Sequence, residues 1–112
     1  MVLISDSMRA TGLCDGSYEF GGQEIRVENS VARTLDGAIA GSTATLFKCV
    51  KTAYSFGIPF ADAVKMATET PAKLIGVDGT KGRIAEGYDA DIIILDRDLE
   101  ISKVMVKGNF VD

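Results

Sequence analysis

The first residue with a chemical role to consider is Asp6, a carboxylate at the end of an apolar segment. Residues 2–5 read Val-Leu-Ile-Ser, and glycines follow at positions 12 and 16. A buried strand that ends on one acid is how α/β enzymes place a proton-transfer group at the mouth of a fold. Aspartates also follow strands because they form turns, so a structural role stays open from the pattern alone.

A second candidate site is the segment Ile39, Ala40 and Gly41, which precedes a predicted helix with Ser42 or Thr43 as its N-cap. A glycine at this place permits the close approach of a ligand, and a helix N-terminus favours anions. An ordinary helix entry explains the same residues equally well.

Asp89 and Asp91 form a third candidate, since they are two residues apart in a glycine-rich turn. A calcium site or a catalytic carboxylate pair would use such a spacing. Hydrogen bonds to the turn and to the start of the next strand are the simpler explanation. We therefore expect a structural role for both side chains.

The composition excludes several classes of function. The chain has 112 residues, 46% of them apolar, a formal net charge of −4 and no histidine. Without histidine it cannot form a typical catalytic zinc site or a Ser-His or Cys-His nucleophile, so we expect no catalytic metal on this chain alone. Its basic residues are dispersed and no apolar run reaches about 20 residues, so nucleic acid and membranes are not expected partners.

The two cysteines indicate a reducing compartment. Cys14 lies in a predicted loop, and Cys49 lies on a predicted helix with Leu46 and Val50 on the same face. The chain has no secreted disulfide framework and no signal peptide after Met1, so reduced thiols and a cytoplasmic location are expected. Cys49 is interpreted as a small core residue.

The elements that must position Asp6 begin with a short buried strand at residues 2–5. Residues 18–35 contain segments that alternate with period two and are interrupted by turn residues at 21–22 and 29–30. This pattern predicts a small antiparallel meander. Its place directly after the acid indicates a flap over a site.

Helices are predicted after the meander. Apolar residues at helical spacing predict one helix that ends near Gly57 and a second from about Phe60. Pro71 is expected at the first position of a short third helix that ends at Gly76.

The last third of the chain changes to strands and glycine-rich loops. We expect a short strand near residues 83–85, a strand at 91–96 that is buried on both faces, and a final strand or hairpin over 101–110. A buried strand is predicted because residues 92–95 are all apolar.

This last third carries a recognisable signature. Residues 81–91 read Lys-Gly-Arg-Ile-Ala-Glu-Gly-Tyr-Asp-Ala-Asp, and Ile-Ile-Ile-Leu-Asp follows at 92–96. The signature resembles that of the amidohydrolase superfamily, in which it forms part of a small β-sandwich beside a metal-bearing (β/α)8 barrel. Motifs within residues 4–22, 36–43 and 67–72 are similar to those of the N-acetylglucosamine-6-phosphate deacetylases in that superfamily.

The resemblance implies an α/β fold in two parts. Residues 1–76 would form the C-terminal end of the catalytic barrel, with its last strand, the flap and the flanking helices. Residues 77–112 would supply closing strands of the β-sandwich. Family members are much longer, and their metal ligands, one Glu and two His, lie in the part absent here. The resemblance therefore implies a divalent metal, zinc or similar, in the full-length enzyme and an inactive isolated chain.

The resemblance also implies a role for each candidate site residue. Asp6 would take a proton from the attacking water and return one to the leaving amine of an amino-sugar phosphate. The sugar-phosphate site would be lined by Ile39, Ala40 and Gly41.

Other functions stay open at this point. Deaminases and dihydroorotases share the C-terminal signature, and a non-catalytic interaction module that keeps only the end of the fold would carry the same residues. We also expect a homo-oligomer, because a barrel strand without neighbours leaves an open edge and apolar surface.

Overall fold

The computed structural model describes residues 1–111, except for the side chain of Phe20. This part of the chain contains seven strands and three helices. It divides into two compact units, Val2–Ala67 and Thr68–Asp112, with Met1 grouped with the second. The predicted boundary at 76–77 concerns the domains of a larger protein and stays a prediction.

The first unit contains an antiparallel sheet of four strands in sequential order: β1 (Gly16–Phe20), β2 (Gln23–Glu28), β3 (Val31–Thr34) and β4 (Ile39–Ser42). The first three strands confirm the predicted meander. The fourth was not predicted, because a β-bulge between Ala32 and Arg33 disturbs its register and its sequence does not alternate.

Two-residue turns of type I′ join the first three strands. Gly21 and Gly22 have φ of +59° and +80°, and Asn29 and Ser30 have φ of +50° and +63°. The second turn is not occupied by glycine, and it is held by Asp15, whose carboxylate accepts hydrogen bonds from the Asn29 amide at 2.9 Å and the Ser30 amide at 3.3 Å.

Alternation along β2 and β3 separates a buried face from a charged face. Ile25 and Val27 are almost fully buried, and Ala32 on β3 packs with them. Met8 and Ala10, from the segment after Asp6, complete this core. The segment that carries the candidate acid is therefore held by the apolar face of the sheet.

Helices α1 (Leu46–Ser55) and α2 (Phe60–Ala67) confirm the predicted pair and pack through Val50, Ala53 and Ala63. The prediction that Ser42 or Thr43 caps α1 is wrong. The N-cap is Thr45, whose hydroxyl accepts a hydrogen bond from the Lys48 amide at 3.2 Å, because β4 extends the chain through residue 42. Among residues 1–111, no helix combines the length and the apolar character needed to cross a membrane.

The predicted buried strand at residues 2–5 is wrong. Ile4 is exposed, and in this segment the Leu3 amide donates to the carbonyl of Met66 at 2.8 Å instead of to a neighbouring strand. Among the described residues, the strand-like pairing closest in sequence is an isolated parallel bridge between Ser7 and Ser42. A strand needs the backbone of a second strand, and no described residue supplies one at 2–5.

The second unit contains helix α3 (Glu69–Leu74) and an antiparallel sheet of β5 (Ile92–Leu95), β6 (Ile101–Val106) and β7 (Asn109–Val111). The final hairpin is confirmed. The predicted start of α3 at Pro71 is wrong, because the helix begins at Glu69 and ends at Leu74; Pro71 lies in its first turn, where a missing amide is tolerated.

Two predictions for the second unit are wrong. No strand forms at residues 83–85, where bends and turns follow Gly82 instead. Strand β5 is not buried on both faces, since Ile93 is 49% and Ile94 is 41% exposed. Among residues 68–111, Ala72 on α3 is buried and no residue of the three-stranded sheet is.

Candidate functional site around Asp6 and Gly41

The backbone of Asp6 adopts an uncommon conformation. Its φ is +48°, in the left-handed region that non-glycine residues rarely occupy and that aspartate tolerates better than most. The residue is exposed, and within residues 1–111 its carboxylate has no recorded ion-pair or hydrogen-bond partner. A turn-capping aspartate would accept backbone hydrogen bonds, and none is formed by the Asp6 carboxylate among the described residues; its role in proton transfer stays a prediction.

Backbone hydrogen bonds join Asp6 to the second candidate segment. The Ser42 amide donates to the Asp6 carbonyl at 3.0 Å, and the Met8 amide donates to the Ser42 carbonyl at 3.0 Å. The structure thus brings the predicted acid next to the end of β4, although 35 residues separate the two in sequence. Sequence reasoning placed both segments in a site but could not establish this pairing.

Gly41 lies on β4 at the point of closest approach. A Cβ built there would lie 3.6 Å from the Asp6 carbonyl oxygen and 3.5 Å from Met8. These are ordinary contact distances, so packing does not require a glycine here. The predicted helix start directly after this residue is wrong, because β4 continues through Ser42 and α1 begins at Leu46.

Ile39 and Ala40 face different surroundings. Ala40 is half-buried and packs against the core cluster of the sheet. Ile39 is 70% exposed and pairs with Arg33 of β3, so its side chain lies on the charged face. Gly41, the third predicted ligand-binding residue, lies beside Asp6.

Hydroxyl groups fix the two segments together, a feature that sequence reasoning missed. The Ser7 hydroxyl donates to the Ala44 carbonyl at 2.6 Å, and the Thr11 hydroxyl donates to the Ser42 carbonyl at 3.2 Å. The concentration of serine and threonine on both segments was the available signal. These bonds hold the Asp6 loop against β4 and limit its motion relative to Gly41.

Asp89 and Asp91 have the structural role that the sequence predicted. Lys81 Nζ lies 2.8 Å from Asp89 and 2.6 Å from Asp91, and the Lys107 amide donates to Asp91 at 2.9 Å. The hydrogen bond from Lys81 and then that from the Lys107 amide lower the pKa of Asp91. Lys81 therefore forms an ion pair with each of the two acids. We name this group of Lys81, Asp89 and Asp91 the latch of the second unit.

Residues 24–111 match the amidohydrolase family. The chain belongs to the amidohydrolase family.

This amidohydrolase chain is 37% identical over 110 residues to the N-acetylglucosamine-6-phosphate deacetylase of Bacillus subtilis and 38% identical over 112 residues to that of Vibrio furnissii. It is 36% identical over 109 residues to the N-acetylgalactosamine-6-phosphate deacetylase of Escherichia coli O157:H7. These alignments cover 97%, 99% and 96% of the chain. They cover only 28%, 28% and 29% of the relatives, so the chain spans less than a third of their length.

Solved structures agree with this assignment. The chain superimposes on N-acetylglucosamine-6-phosphate deacetylase from Pasteurella multocida with a TM-score of 0.92 and 28% identity, over 98% of this chain and 29% of that one. A mutant of the deacetylase from Mycobacterium smegmatis, in complex with N-acetyl-D-glucosamine-6-phosphate, gives a TM-score of 0.87 and 38% identity, over 97% of this chain and 30% of that one.

The described residues of this amidohydrolase chain do not bring together a set of side chains typical of a catalytic metal site. The chain has no histidine, and within residues 1–111 no three Cys, Asp or Glu side chains gather closely enough to hold an ion. A catalytic zinc site takes three protein ligands, which these residues do not fit. Whether the isolated chain binds a metal stays a prediction for experiment.

Cys14 and Cys49 do not form a disulfide in the described part of this amidohydrolase chain. Cys14 is exposed in the loop after Asp6, and Cys49 is half-buried on α1. Among the described residues, neither thiol belongs to a group of Cys, Asp or Glu side chains that could hold a metal ion.

Proposed function

We propose that this chain is the C-terminal part of an N-acetylglucosamine-6-phosphate deacetylase. The complete protein would hydrolyse the acetamide of N-acetylglucosamine 6-phosphate to glucosamine 6-phosphate and acetate. The observation that carries this proposal is the exposed, unpaired Asp6 held by backbone hydrogen bonds beside the Gly41 strand. Similarity to deacetylases over nearly the whole chain supports the reaction class.

Asp6 would move the protons that amide hydrolysis requires. As the base, its carboxylate accepts a proton from water while the water oxygen bonds to the carbonyl carbon of the acetamide. As the acid, it returns that proton to the nitrogen when the C–N bond breaks, which releases the amine and acetate. One carboxylate performs both transfers in turn and ends the cycle ionised.

Gly41 and its neighbours Ile39 and Ala40 would hold the sugar phosphate. A strand backbone without a side chain at Gly41 lets a ligand approach the chain close to Asp6. The serine and threonine hydroxyls that tie the two segments together would keep the acid at a fixed distance from the bound amide.

The rest of the enzyme would come from residues outside this chain. On this proposal those residues supply the metal ligands and the barrel strands beside residues 2–5, which would then complete a parallel ladder. We place the complete protein in the cytoplasm, where amino-sugar phosphates are intermediates of carbohydrate metabolism.

The 4-epimer, N-acetylgalactosamine 6-phosphate, is the second candidate substrate. The chain is 36% identical to a deacetylase of that name, against 37% and 38% for the N-acetylglucosamine enzymes of Bacillus and Vibrio. These identities do not separate the epimers.

The test is an assay of the complete protein with both sugar phosphates, following acetate and ammonia. We expect acetate from one or both epimers and no ammonia. Ammonia release would point to a deaminase, and no reaction with either sugar phosphate would contradict the proposal. The 112-residue chain, assayed with added zinc, is expected to be inactive. Turnover by this chain alone would show that it does not need metal ligands from residues outside it.

A further inference from the structure

Two arginines lie side by side on the outer face of the four-stranded sheet. Arg26 on β2 is directly opposite Arg33 on β3, and both residues are exposed. Directly opposite side chains of an antiparallel pair are close enough to interact, and like charges at such positions destabilise the sheet. An anion bound between the two guanidinium groups would offset this repulsion.

The described part of the chain does not neutralise these arginines with an acid. Within residues 1–111 neither guanidinium group forms an ion pair. Arg33 donates one N–H to the Gly37 carbonyl at 2.9 Å, which orients its guanidinium group and leaves the other donors open. Asp36, the acid that follows Arg33 most closely in sequence, accepts a hydrogen bond from the Thr34 hydroxyl instead.

Both arginines line a cavity of about 410 Å³ on this face. That volume falls within the range of about 300–1,000 Å³ that is usual for small-molecule sites. Glu28 and Asn29 line the same cavity, and so do the apolar side chains of Val31 and Leu35. The cavity therefore combines cationic donors with a carboxylate, an amide and apolar surface, and this mixture suits a small polar molecule better than a bare ion.

The turn that carries Asn29 is fixed by contacts from two other segments. The Asp15 carboxylate accepts hydrogen bonds from the Asn29 amide at 2.9 Å and the Ser30 amide at 3.3 Å. Thr43, directly after β4, donates its hydroxyl to the Ser30 carbonyl at 2.6 Å. Since the Arg33 guanidinium group is also oriented by a backbone carbonyl, this part of the cavity is held in place before a ligand arrives, which lowers the entropy cost of binding.

We propose that this cavity binds a phosphate monoester that carries hydroxyl groups. We name it the arginine cleft and define it by Arg26, Glu28, Asn29 and Arg33. Guanidinium groups match phosphate oxygens with paired N–H donors, so Arg26 and Arg33 would hold the phosphate. Glu28 repels a phosphate but accepts hydrogen bonds from hydroxyl groups, and the Asn29 amide donates and accepts them. This binding is independent of deacetylation, since Asp6 does not line the cleft.

Titration of the 112-residue chain with ribose 5-phosphate and with inorganic phosphate tests the proposal. We expect NMR shifts at Arg26 and Arg33, with dissociation constants of about 1–10 mM at low ionic strength, where charges are screened least. Hydrogen bonds to Glu28 and Asn29 should make ribose 5-phosphate bind about two- to tenfold tighter than phosphate. R26Q/R33Q should weaken the binding of both probes by about tenfold or more, because it removes both positive charges.

Glu28→Ala separates the phosphate part of the ligand from its hydroxyl part. It should strengthen the binding of inorganic phosphate, because a nearby negative charge is lost, and it should reduce the preference for ribose 5-phosphate. The matched control is K48Q/K65Q, which removes two exposed lysine charges on α1 and α2 and should leave both affinities within about twofold of the parent. Cooperative urea unfolding checks that each variant folds.

Binding that survives in R26Q/R33Q would overturn the proposal. So would an equal loss in K48Q/K65Q, which would indicate non-specific charge attraction, or the absence of any shift at Arg26 and Arg33 with about 50 mM phosphate. Equal affinity of the parent for the two probes would remove the hydroxyl groups from the proposed ligand. Loss of ribose 5-phosphate binding in Gly41→Ala, with binding retained in R26Q/R33Q, would place this ligand at the strand proposed for the deacetylase substrate instead.

Discussion

Gly82 and Ala72 lie so close that only a glycine fits opposite helix α3. A Cβ built on Gly82 would lie 2.9 Å from the Ala72 Cβ and 3.0 Å from both the Glu69 Cα and the Thr68 carbonyl oxygen. Gly82 also has φ of +92°. Both the space and the backbone conformation therefore require glycine at this place in the family signature.

Gly82→Ala should destabilise the second unit by about 2–3 kcal/mol, because it adds a clash with backbone atoms to the cost of a left-handed alanine. Urea unfolding measures this loss. Gly79→Ala is the control, since a Cβ there meets nothing within 4 Å and its φ is unexceptional. Equal stability of the two variants would contradict the packing argument.

Asp6→Asn should reduce kcat of the complete protein by about 10²–10⁴ with little change in KM, since an amide cannot accept and return the proton. Asparagine tolerates a positive φ, so the variant should keep its unfolding midpoint. Asp62→Asn, on the first turn of α2, removes the same charge and should retain full activity. A fully active Asp6→Asn enzyme would remove Asp6 from the mechanism.

Gly41→Ala separates binding from folding. The added methyl group meets Met8 and the Asp6 carbonyl only at ordinary contact distances, so stability should change by less than about 0.5 kcal/mol. If a sugar phosphate approaches the strand at this residue, KM of the complete protein should rise about tenfold or more. An unchanged KM would place the ligand elsewhere.

The sequence predicted the elements whose residues carry local signals. The meander followed from alternation and from turn residues at 21–22 and 29–30, and α1 and α2 followed from helical spacing. It failed where structure depends on distant partners. Residues 2–5 are apolar enough for a strand, but a strand forms only beside another backbone.

The candidate site shows the same division. The sequence identified Asp6 as a candidate, and the structure shows that the residue is exposed, whereas its role in proton transfer stays a prediction. The hydrogen bond from Ser42 to Asp6 was not readable, because no local pattern encodes a pairing across 35 residues. The N-cap was missed for a related reason: β4 continues through Ser42 and moves the helix start to Leu46.

The latch formed by Lys81, Asp89 and Asp91 makes stability depend on pH at both ends of the range. Hydrogen bonds from Lys81 and then from the Lys107 amide lower the pKa of Asp91, so the folded chain binds that proton less readily than the unfolded chain does. This stabilisation is complete above the ordinary aspartate pKa of about 3.9 and is lost as pH falls through the lowered value.

The pKa of Lys81 is shifted in the opposite direction from that of Asp91. Hydrogen bonds to Asp89 and then to Asp91 raise its pKa, so its contribution is complete below about 10.4 and is lost as pH rises through the raised value. Urea midpoints measured from about pH 2 to 11 should therefore fall at both ends. Asp91→Asn should reduce the fall of the urea midpoint at low pH, because it removes the carboxyl group whose pKa is lowered. Asp98→Asn is the control, since it removes the same charge outside the latch. Parallel acid limbs for the parent and Asp91→Asn would show that the latch does not contribute to stability.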